Sequence, residues 1–483
     1  MNPSLTLFVI PGMYPYHIGR QKGTIKPLQP TGLTLNRTLL SEKLKLLGYK
    51  THIVGKWHLG FCNKKYTPTK RGFDSFFGYY TGAEEYFNHS RGNGYDFRSN
   101  FTVNTKARGH YSTDLFTDKS LSIIENHSME KLSSPLFLYI PYQAVHAPLE
   151  APRSEYQNIQ KTGNIPRDIY RAMLSRLDDG VNKIVQKLKT SGMWNNTVLV
   201  FSTDNGGAIH EAGSNYPLRG TKGTLFEGGT HGVGFVAGGH LKRSGVVQKE
   251  LFHITDWYPT LLSAATIGNK SNQEDIDGVD QWNTIQHGDK ANRNTMVYNL
   301  KIFPVSGAIR VGPYKLMFAP EFNKDGWYNP DNKTVLKQNE KLTFKNGEVV
   351  KEYVPIEDTK LMVRIKKISD IYVNGHDIIE DNDKKERSLM KMFNKGNKDI
   401  GKGNMYQYIF DKRWPKLKKH LFNVVEDPEE RKDLEEVFPE IFEKLRAKAR
   451  DFYGSFIPRD YPKFSNKGNP KFYDGVWSSG WCQ

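Results

Sequence analysis

The stretch Pro135-Leu136-Phe137-Leu138-Tyr139-Ile140-Pro141-Tyr142 runs without a break into Gln143-Ala144-Val145-His146-Ala147-Pro148. A continuous apolar run of this length reads as a strand covered on both faces. A polar loop carrying a histidine directly after it falls where ligands collect in open α/β sheets. The arrangement recurs twice. Residues 49–54 read as a strand leading into Gly55-Lys56-Trp57-His58-Leu59-Gly60, and residues 196–203 as a strand leading into Asp204-Asn205-Gly206-Gly207. Helical patterns lie between these strands. In 36–47, Leu39, Leu40, Leu44 and Leu47 have helical spacing and Gly48 provides the stop. In 167–189, Ile169, Met173, Leu177, Val181, Ile184 and Leu188 share one face, and Gly192 lies just past the end. Thr255 or Asp256 is placed to cap a helix through 260–265, with Pro259 in its first turn. This alternation predicts an α/β fold, a sheet sandwiched by helices.

The texture changes near residue 300. Residues 308–317 and 419–425 read as antiparallel strands, and 438–453 as an amphipathic helix. Residues 320–412 are rich in Lys, Asn and Asp with little periodicity, and read as long loops or an insertion. The expected division is a large α/β domain over 1–300 and a smaller domain over 301–483.

Composition narrows the function classes. With 37% hydrophobic residues in 483, the chain can bury a large core. No apolar run approaches the roughly 20 residues of a membrane span. The start, Met1-Asn2-Pro3-Ser4, has no basic region or small-residue cleavage site and does not read as a signal peptide. The net charge of +17 is spread along the chain and favours acidic partners, although a lysine-rich soluble protein would look the same. Two cysteines, Cys62 and Cys482, exclude a disulfide framework and leave one long-range pairing open. Asn-x-Ser/Thr sites at Asn36, Asn88, Asn100, Asn126, Asn195, Asn269 and Asn332 are compatible with a secretory route.

Four clusters carry candidate chemistry. Lys56 and His58, two apart on an extended segment, can point to the same side and meet one anion. His146 is a candidate acid or anion ligand. Asp204 and Asn205 offer hard oxygen ligands for Ca²⁺ or Mg²⁺. Lys222 sits in the glycine-rich loop Arg219-Gly220-Thr221-Lys222-Gly223-Thr224, followed by Glu227-Gly228-Gly229. Each alone has an ordinary explanation as a solvated loop or turn. Together they make what a sulfate or phosphate ester beside a divalent cation requires.

In this order the motifs resemble those of the sulfatase family, and within it the arylsulfatase B subgroup. Gly55–Gly60 continues into Thr67-Pro68-Thr69-Lys70-Arg71-Gly72-Phe73-Asp74 in the manner of the family's second signature. His253-Ile254-Thr255-Asp256-Trp257-Tyr258-Pro259 and Gly475-Val476-Trp477 also match, whereas roughly 320–412 does not. The resemblance implies an alkaline-phosphatase-like fold: a large mixed sheet flanked by helices, and a C-terminal α+β domain with an antiparallel sheet. It implies Ca²⁺-assisted hydrolysis of sulfated sugars or glycosaminoglycans, with formylglycine made from a cysteine as nucleophile. It makes neither nucleic acid nor a membrane span part of the function, and points to a lysosomal or secreted protein. By the same resemblance, Asp204 and Asn205 bind calcium and Lys56 and Lys222 neutralise the sulfate. His58 holds the formylglycine hydroxyls, and His146 contacts the sulfate and the leaving oxygen.

The sequence departs from that pattern at its start. Where the family has Cys-x-Pro-Ser-Arg, this chain reads Met1-Asn2-Pro3-Ser4-Leu5. Neither Met1 nor Asn2 can become formylglycine, and the strand bearing the family's other two metal carboxylates has no counterpart. The expectation is a clipped N-terminus, an incomplete calcium site and no turnover. The alternative is a non-catalytic protein that binds sulfated glycans. A two-zinc phosphatase is disfavoured, because the extra Asp/His cluster is missing.

Overall fold

The computed structural model describes residues 11–21, 23–130, 134–266, 275–330, 340–345, 348–353 and 402–483. Met1–Ile10, with the altered motif, lie outside the described residues, as do Asn269 and Asn332.

Helix α1 (Leu40–Leu46) precedes β1 (Lys50–Lys56) and β2 (Ser75–Tyr79). A short hairpin follows, β3 (Ser90–Arg91) and β4 (Gly94–Tyr95), then β5 (Arg98–Ser99), β6 (Thr102–Val103), helix α2 (Ser112–Met129) and β7 (Leu136–Tyr139). One sheet has the order β6-β5-β2-β1-β7, with β1 parallel to both neighbours and β5 and β6 antiparallel. Next come β8 (Glu150–Pro152), α3 (Ile165–Thr190), β9 (Leu199–Ser202), β10 (Gly234–Ala237) and α4 (Trp257–Ala265). β9 and β10 form a separate antiparallel pair. One face of the β7 edge is covered by Ile124 of α2 and Ile184 and Leu188 of α3, which pack on Leu136 and Leu138. The other is covered by Leu40 and Leu44 of α1 with Leu262 of α4, against Phe137. Each such side chain contributes about 1.5–3 kcal/mol of burial.

Several expectations are adjusted. The helix expected from residue 36 starts at Leu40, because Arg71 takes the Thr34 and Arg37 carbonyls at 3.3 and 2.9 Å and holds that segment as a turn. The strands at 135–142 and 196–203 shorten to β7 and β9, and their residues are half-buried rather than fully buried. Among the described residues, β7 pairs only with β1 and β9 only with β10. A cavity of about 1790 Å³ runs between the two free edges, lined by Leu136, Leu138, Leu199, Phe201, Leu177 and Leu261. Helices cover the sheet faces, and among the described residues no strand pairs with these edges. Asp256 does stand at the start of α4. Its carboxylate turns instead to the His253 and Val279 N–H groups, both at 2.8 Å, and to Arg293.

The C-terminal antiparallel sheet has the order β11 (Thr295–Ile302), β12 (Val305–Val311), β13 (Tyr314–Ala319), then β16 (Lys418–Asn423). The single strand expected at 308–317 is a hairpin. It breaks at Gly312-Pro313, where Gly312 has φ +55°, a left-handed turn conformation suited to glycine. Part of the expected loop region is ordered structure. β14 (Glu340–Lys345) and β15 (Glu348–Tyr353) pair with each other and with β8. Helix α5 (Lys402–Arg413) buries Tyr406, Ile409 and Phe410 with Leu316 and Phe318 of the sheet, and with Leu445 and Tyr453 of α6 (Pro439–Tyr453). Residues 354–401 lie outside the described set. Cys62 and Cys482 form a disulfide, with Cα atoms 5.3 Å apart, tying the tail to the loop after β1.

Candidate active site

Lys56 ends β1, and its N–H donates to Pro141 O at 2.9 Å. Gly55 permits this approach, since a Cβ there would collide with Pro141 O. Trp57 turns into the core, with its indole N–H donating to the carbonyls of Gly60 (3.0 Å) and Tyr66 (2.9 Å). That anchor leaves Lys56 and His58 to face the cavity between the two sheets. The segment is not extended throughout: His58 has φ +58°, and its N–H is tied to Tyr80 O at 3.1 Å. Such a backbone costs about 1–2 kcal/mol outside glycine. The His58 Nε2–H donates to Ile25 O at 3.2 Å, and Nδ1 is buried with no partner. Burial, then the charge of Lys56, hold His58 well below its ordinary pKa, so it is a neutral acceptor at Nδ1.

His146 follows β7, and Tyr86 OH holds its carbonyl at 2.8 Å. Its Nδ1–H donates to Ala147 O at 2.8 Å, which leaves Nε2 for a ligand. Burial and the nearby Lys56 and Lys222 push its pKa down to about 3. In the free protein it is therefore neutral. A bound anion works against the two lysines and raises its affinity for a proton.

Asp204 and Asn205 follow β9. The Asn205 Oδ1 is buried without a partner, while its Nδ2 donates to Gly206 O at 2.9 Å. Gly206 lies against Gly228 O, where a Cβ would collide. The Lys222 N–H donates to Gly207 O at 3.0 Å, and Thr221 Oγ1 donates to the same oxygen at 3.1 Å. The loop bearing Lys222 is thus stapled to the loop bearing Asp204 and Asn205. From below, Arg219 pairs with Asp325 at 2.6 Å and stacks on Phe226, 4.4 Å from the ring centroid.

All six residues expected from the sequence, Lys56, His58, His146, Asp204, Asn205 and Lys222, line this one cavity. Around Lys56 the charges are Asp204, Lys222 and Arg91, and burial ahead of these lowers its pKa to about 8. Arg91 was not foreseen. Its sequence signal, Arg91-Gly92-Asn93-Gly94, is that of a hairpin turn and says nothing of what the arginine faces.

The donor set answers the calcium expectation only in part. An orphaned, buried Asn205 Oδ1 beside Asp204 is what a hard cation's ligand looks like alone. Calcium takes six to eight oxygens, and no group of three or more His, Cys, Asp or Glu able to hold a metal occurs among the described residues. These residues do not complete the site.

Comparison with known proteins identifies the family. The sulfatase family profile matches residues 9–267, more than half of the chain. Arylsulfatase J of Mus musculus is 36% identical over 504 aligned residues, covering 99% of this chain and 72% of that protein. N-acetylgalactosamine-6-sulfatase of Mus musculus is 33% identical over 301 residues, covering 59% of this chain and 55% of its own length. Among solved structures, Ps i-CgsB in complex with k-i-k-neocarrahexaose superposes with a TM-score of 0.68 at 18% identity, over 97% of this chain and 87% of the other. The PsFucS1 sulfatase from Pseudoalteromonas sp. gives 0.60 at 16% identity, over 96% and 83%. The fold is alkaline-phosphatase-like, with its mixed sheet between helices and its antiparallel C-terminal sheet. The chain belongs to the sulfatase family, whose chemistry is the hydrolysis of sulfate esters.

Proposed function

We propose that the cavity binds the sulfate ester of a sulfated sugar, in the manner of arylsulfatase B, with N-acetylgalactosamine 4-sulfate of a glycosaminoglycan as the reference ligand. The observation that carries this is convergence: Lys56, His58, His146 and Lys222, from three separate segments, line one cavity. In this reading Lys56 and Lys222 neutralise the sulfate oxygens. His146 offers Nε2 to the ester oxygen, since its Nδ1 is already engaged with Ala147 O. The partnerless Nδ1 of His58 accepts from a hydroxyl. Asp204 and Asn205 are assigned to the cation side. The names of the relatives, an arylsulfatase and galactosamine sulfatases, support a sugar sulfate as ligand.

Formylglycine, where a sulfatase carries it, supplies the nucleophile. Here both cysteines of the sequence are bonded to each other. No thiol is left to fit that role, and this chain as it stands is read as binding sulfated sugar without turning it over. The disulfide favours an oxidising compartment. Asn36, Asn88, Asn100, Asn126 and Asn195, the described glycosylation sites, are all exposed. Both features support a lysosomal or secreted location. Among the described residues no helix is long and apolar enough to cross a membrane.

Calorimetric titration of the chain with N-acetylgalactosamine 4-sulfate and with unsulfated N-acetylgalactosamine tests the reading. The sulfated sugar is expected to bind and the parent sugar not to. Equal binding of the two, or binding of neither, would refute it. Measurable hydrolysis of an aryl sulfate that is lost in Lys56→Ala would refute the non-catalytic part.

A further inference from the structure

Arg91 sits on the β3–β4 hairpin, whose pairs are Ser90 with Tyr95 and Arg91 with Gly94. The hairpin is clamped to the C-terminal tail. The Trp477 indole N–H donates to Arg91 O at 3.0 Å, Tyr95 N–H to Gly475 O at 2.8 Å, and Trp477 N–H to Tyr95 O at 2.9 Å. Gly94 lies so close to the Trp477 ring that a Cβ there would collide. The backbone under Arg91 is therefore rigid, and its side chain is directed into the cavity that holds Lys56 and His58.

The guanidinium has little to do there. Its Nη1 reaches Ala83 O at 3.5 Å, the long limit of a hydrogen bond. Among the described residues it makes no ion pair. The acidic group that acts on it most is Asp96, which is buried and spends both oxygens on the N–H groups of Tyr80 (3.1 Å) and Thr81 (2.7 Å). Ala83 follows Gly82, whose α-carbon packs on the His58 ring, so Arg91 stands beside the sulfate cradle. Its charge acts on Lys56, His58 and His146 alike. Lys26, Lys56, Arg91, Lys222 and Lys324 line the cavity against Asp204 and Glu211, so its lining carries more positive charge than one singly charged sulfate ester neutralises. A rigid, half-buried guanidinium without a carboxylate suits bidentate recognition of a further planar or tetrahedral anion.

Resting on the sulfated-sugar reading above, we infer that Arg91 forms a second anion subsite beside the sulfate cradle, selecting sugars that carry another acidic group next to the sulfate ester. A uronate carboxylate and a second sulfate share this chemistry.

Three probes separate the possibilities in titrations of the intact chain: N-acetylgalactosamine 4-sulfate, N-acetylgalactosamine 4,6-disulfate, and a disaccharide joining a uronate to the 4-sulfated sugar. The wild-type chain is expected to bind at least one dianionic probe about tenfold tighter than the monosulfate, and which one identifies the second anion. Arg91→Met is expected to abolish that preference while weakening monosulfate binding by a clearly smaller factor than dianion binding. Lys222→Met should weaken all three probes by a common factor. No preference in the wild type, or equal losses for all probes in Arg91→Met, overturns the subsite and leaves the sulfate reading intact. Binding of none of the probes overturns both. Should Arg91→Met lose the wild-type melting transition, Arg91→Lys decides. It is expected to bind the preferred dianion more weakly than wild type and the monosulfate unchanged; an unchanged preference overturns the subsite.

Discussion

Lys315 lies on β13, fully buried, with Nζ 2.7 Å from Glu227 Oε1 and 3.0 Å from Glu430 Oε1. Both carboxylates are buried as well. Burial alone would raise Glu227, but the Lys315 charge and hydrogen bonds bring it down to about 2. Glu430 goes the other way, raised by burial. Lys315→Met keeps the volume and removes the charge that both buried acids share, leaving Glu227 the more exposed His231 at 3.1 Å. Breaking a buried pair from one side costs about 3–5 kcal/mol, and here Glu430 is left without a cationic partner among the described residues. The damage should reach the site. Glu430 Oε2 accepts from Glu227 N–H at 2.6 Å and Glu430 O accepts from Arg219 at 2.7 Å, so the triad holds the loop that presents Lys222. Urea unfolding at pH 7 should show the loss, with weaker binding of the sulfated sugar in the same variant. The pH dependence has a definite sign. In the wild type Glu227 is depressed, so its contribution is present above about pH 4.5 and lost as pH falls towards 2. In the variant the stranded carboxyls are raised, so protonation relieves them. The gap between the two proteins should therefore narrow as pH falls from 7 to 4. A variant within about 1 kcal/mol of wild type at pH 7, or a gap indifferent to pH, would refute the reasoning.

Other consequences are more direct. Lys56, with a pKa lowered to about 8, should lend its charge to the ligand below that pH and lose it above. Affinity for the sulfated sugar should hold from pH 6 to 7.5 and fall between 8 and 9.5; a flat profile there would exclude Lys56 from the cradle. His146, pushed down to about 3, should remain neutral by NMR titration to below pH 4 in the free protein and shift upward once sulfate is bound, whereas a free value near 6.5 would contradict its burial beside the two lysines. Gly82→Ala places a methyl into the His58 ring. It should weaken sulfate binding about tenfold or more while the melting transition persists; unchanged affinity would show that the loop yields freely.

The site was more legible in the sequence than the sheet that carries it. Lys56, His146 and Asp204 each follow a strand signal directly, so their motifs located themselves at strand ends without any knowledge of strand order. Lys222 was visible because glycines bracket it, and Gly220 and Gly223, at φ +88° and +90°, supply the left-handed turns of its loop. Arg91 was invisible: its importance comes from Trp477, nearly 400 positions away, which fixes the hairpin. Burial of the central strands misled for a related reason. Apolar runs at 135–142 and 196–203 report what a strand's faces meet, not whether its edges are paired. Helix α5 was hidden because its apolar positions, Tyr406, Ile409 and Phe410, are buried from several sides within a Lys- and Asn-rich stretch that shows little periodicity. Gly312-Pro313 did carry a turn signal, outweighed by the long apolar run around it.

In the proposed reading Lys56 and Lys222, 166 positions apart in the chain, grip the same sulfate. A double-mutant cycle measures this, with binding of N-acetylgalactosamine 4-sulfate determined for wild type, Lys56→Met, Lys222→Met and the double variant. Two lysines on one anion predict a coupling of about 0.5 kcal/mol or more, the second substitution costing less than the first. Losses that add within about 0.3 kcal/mol would contradict a shared sulfate site.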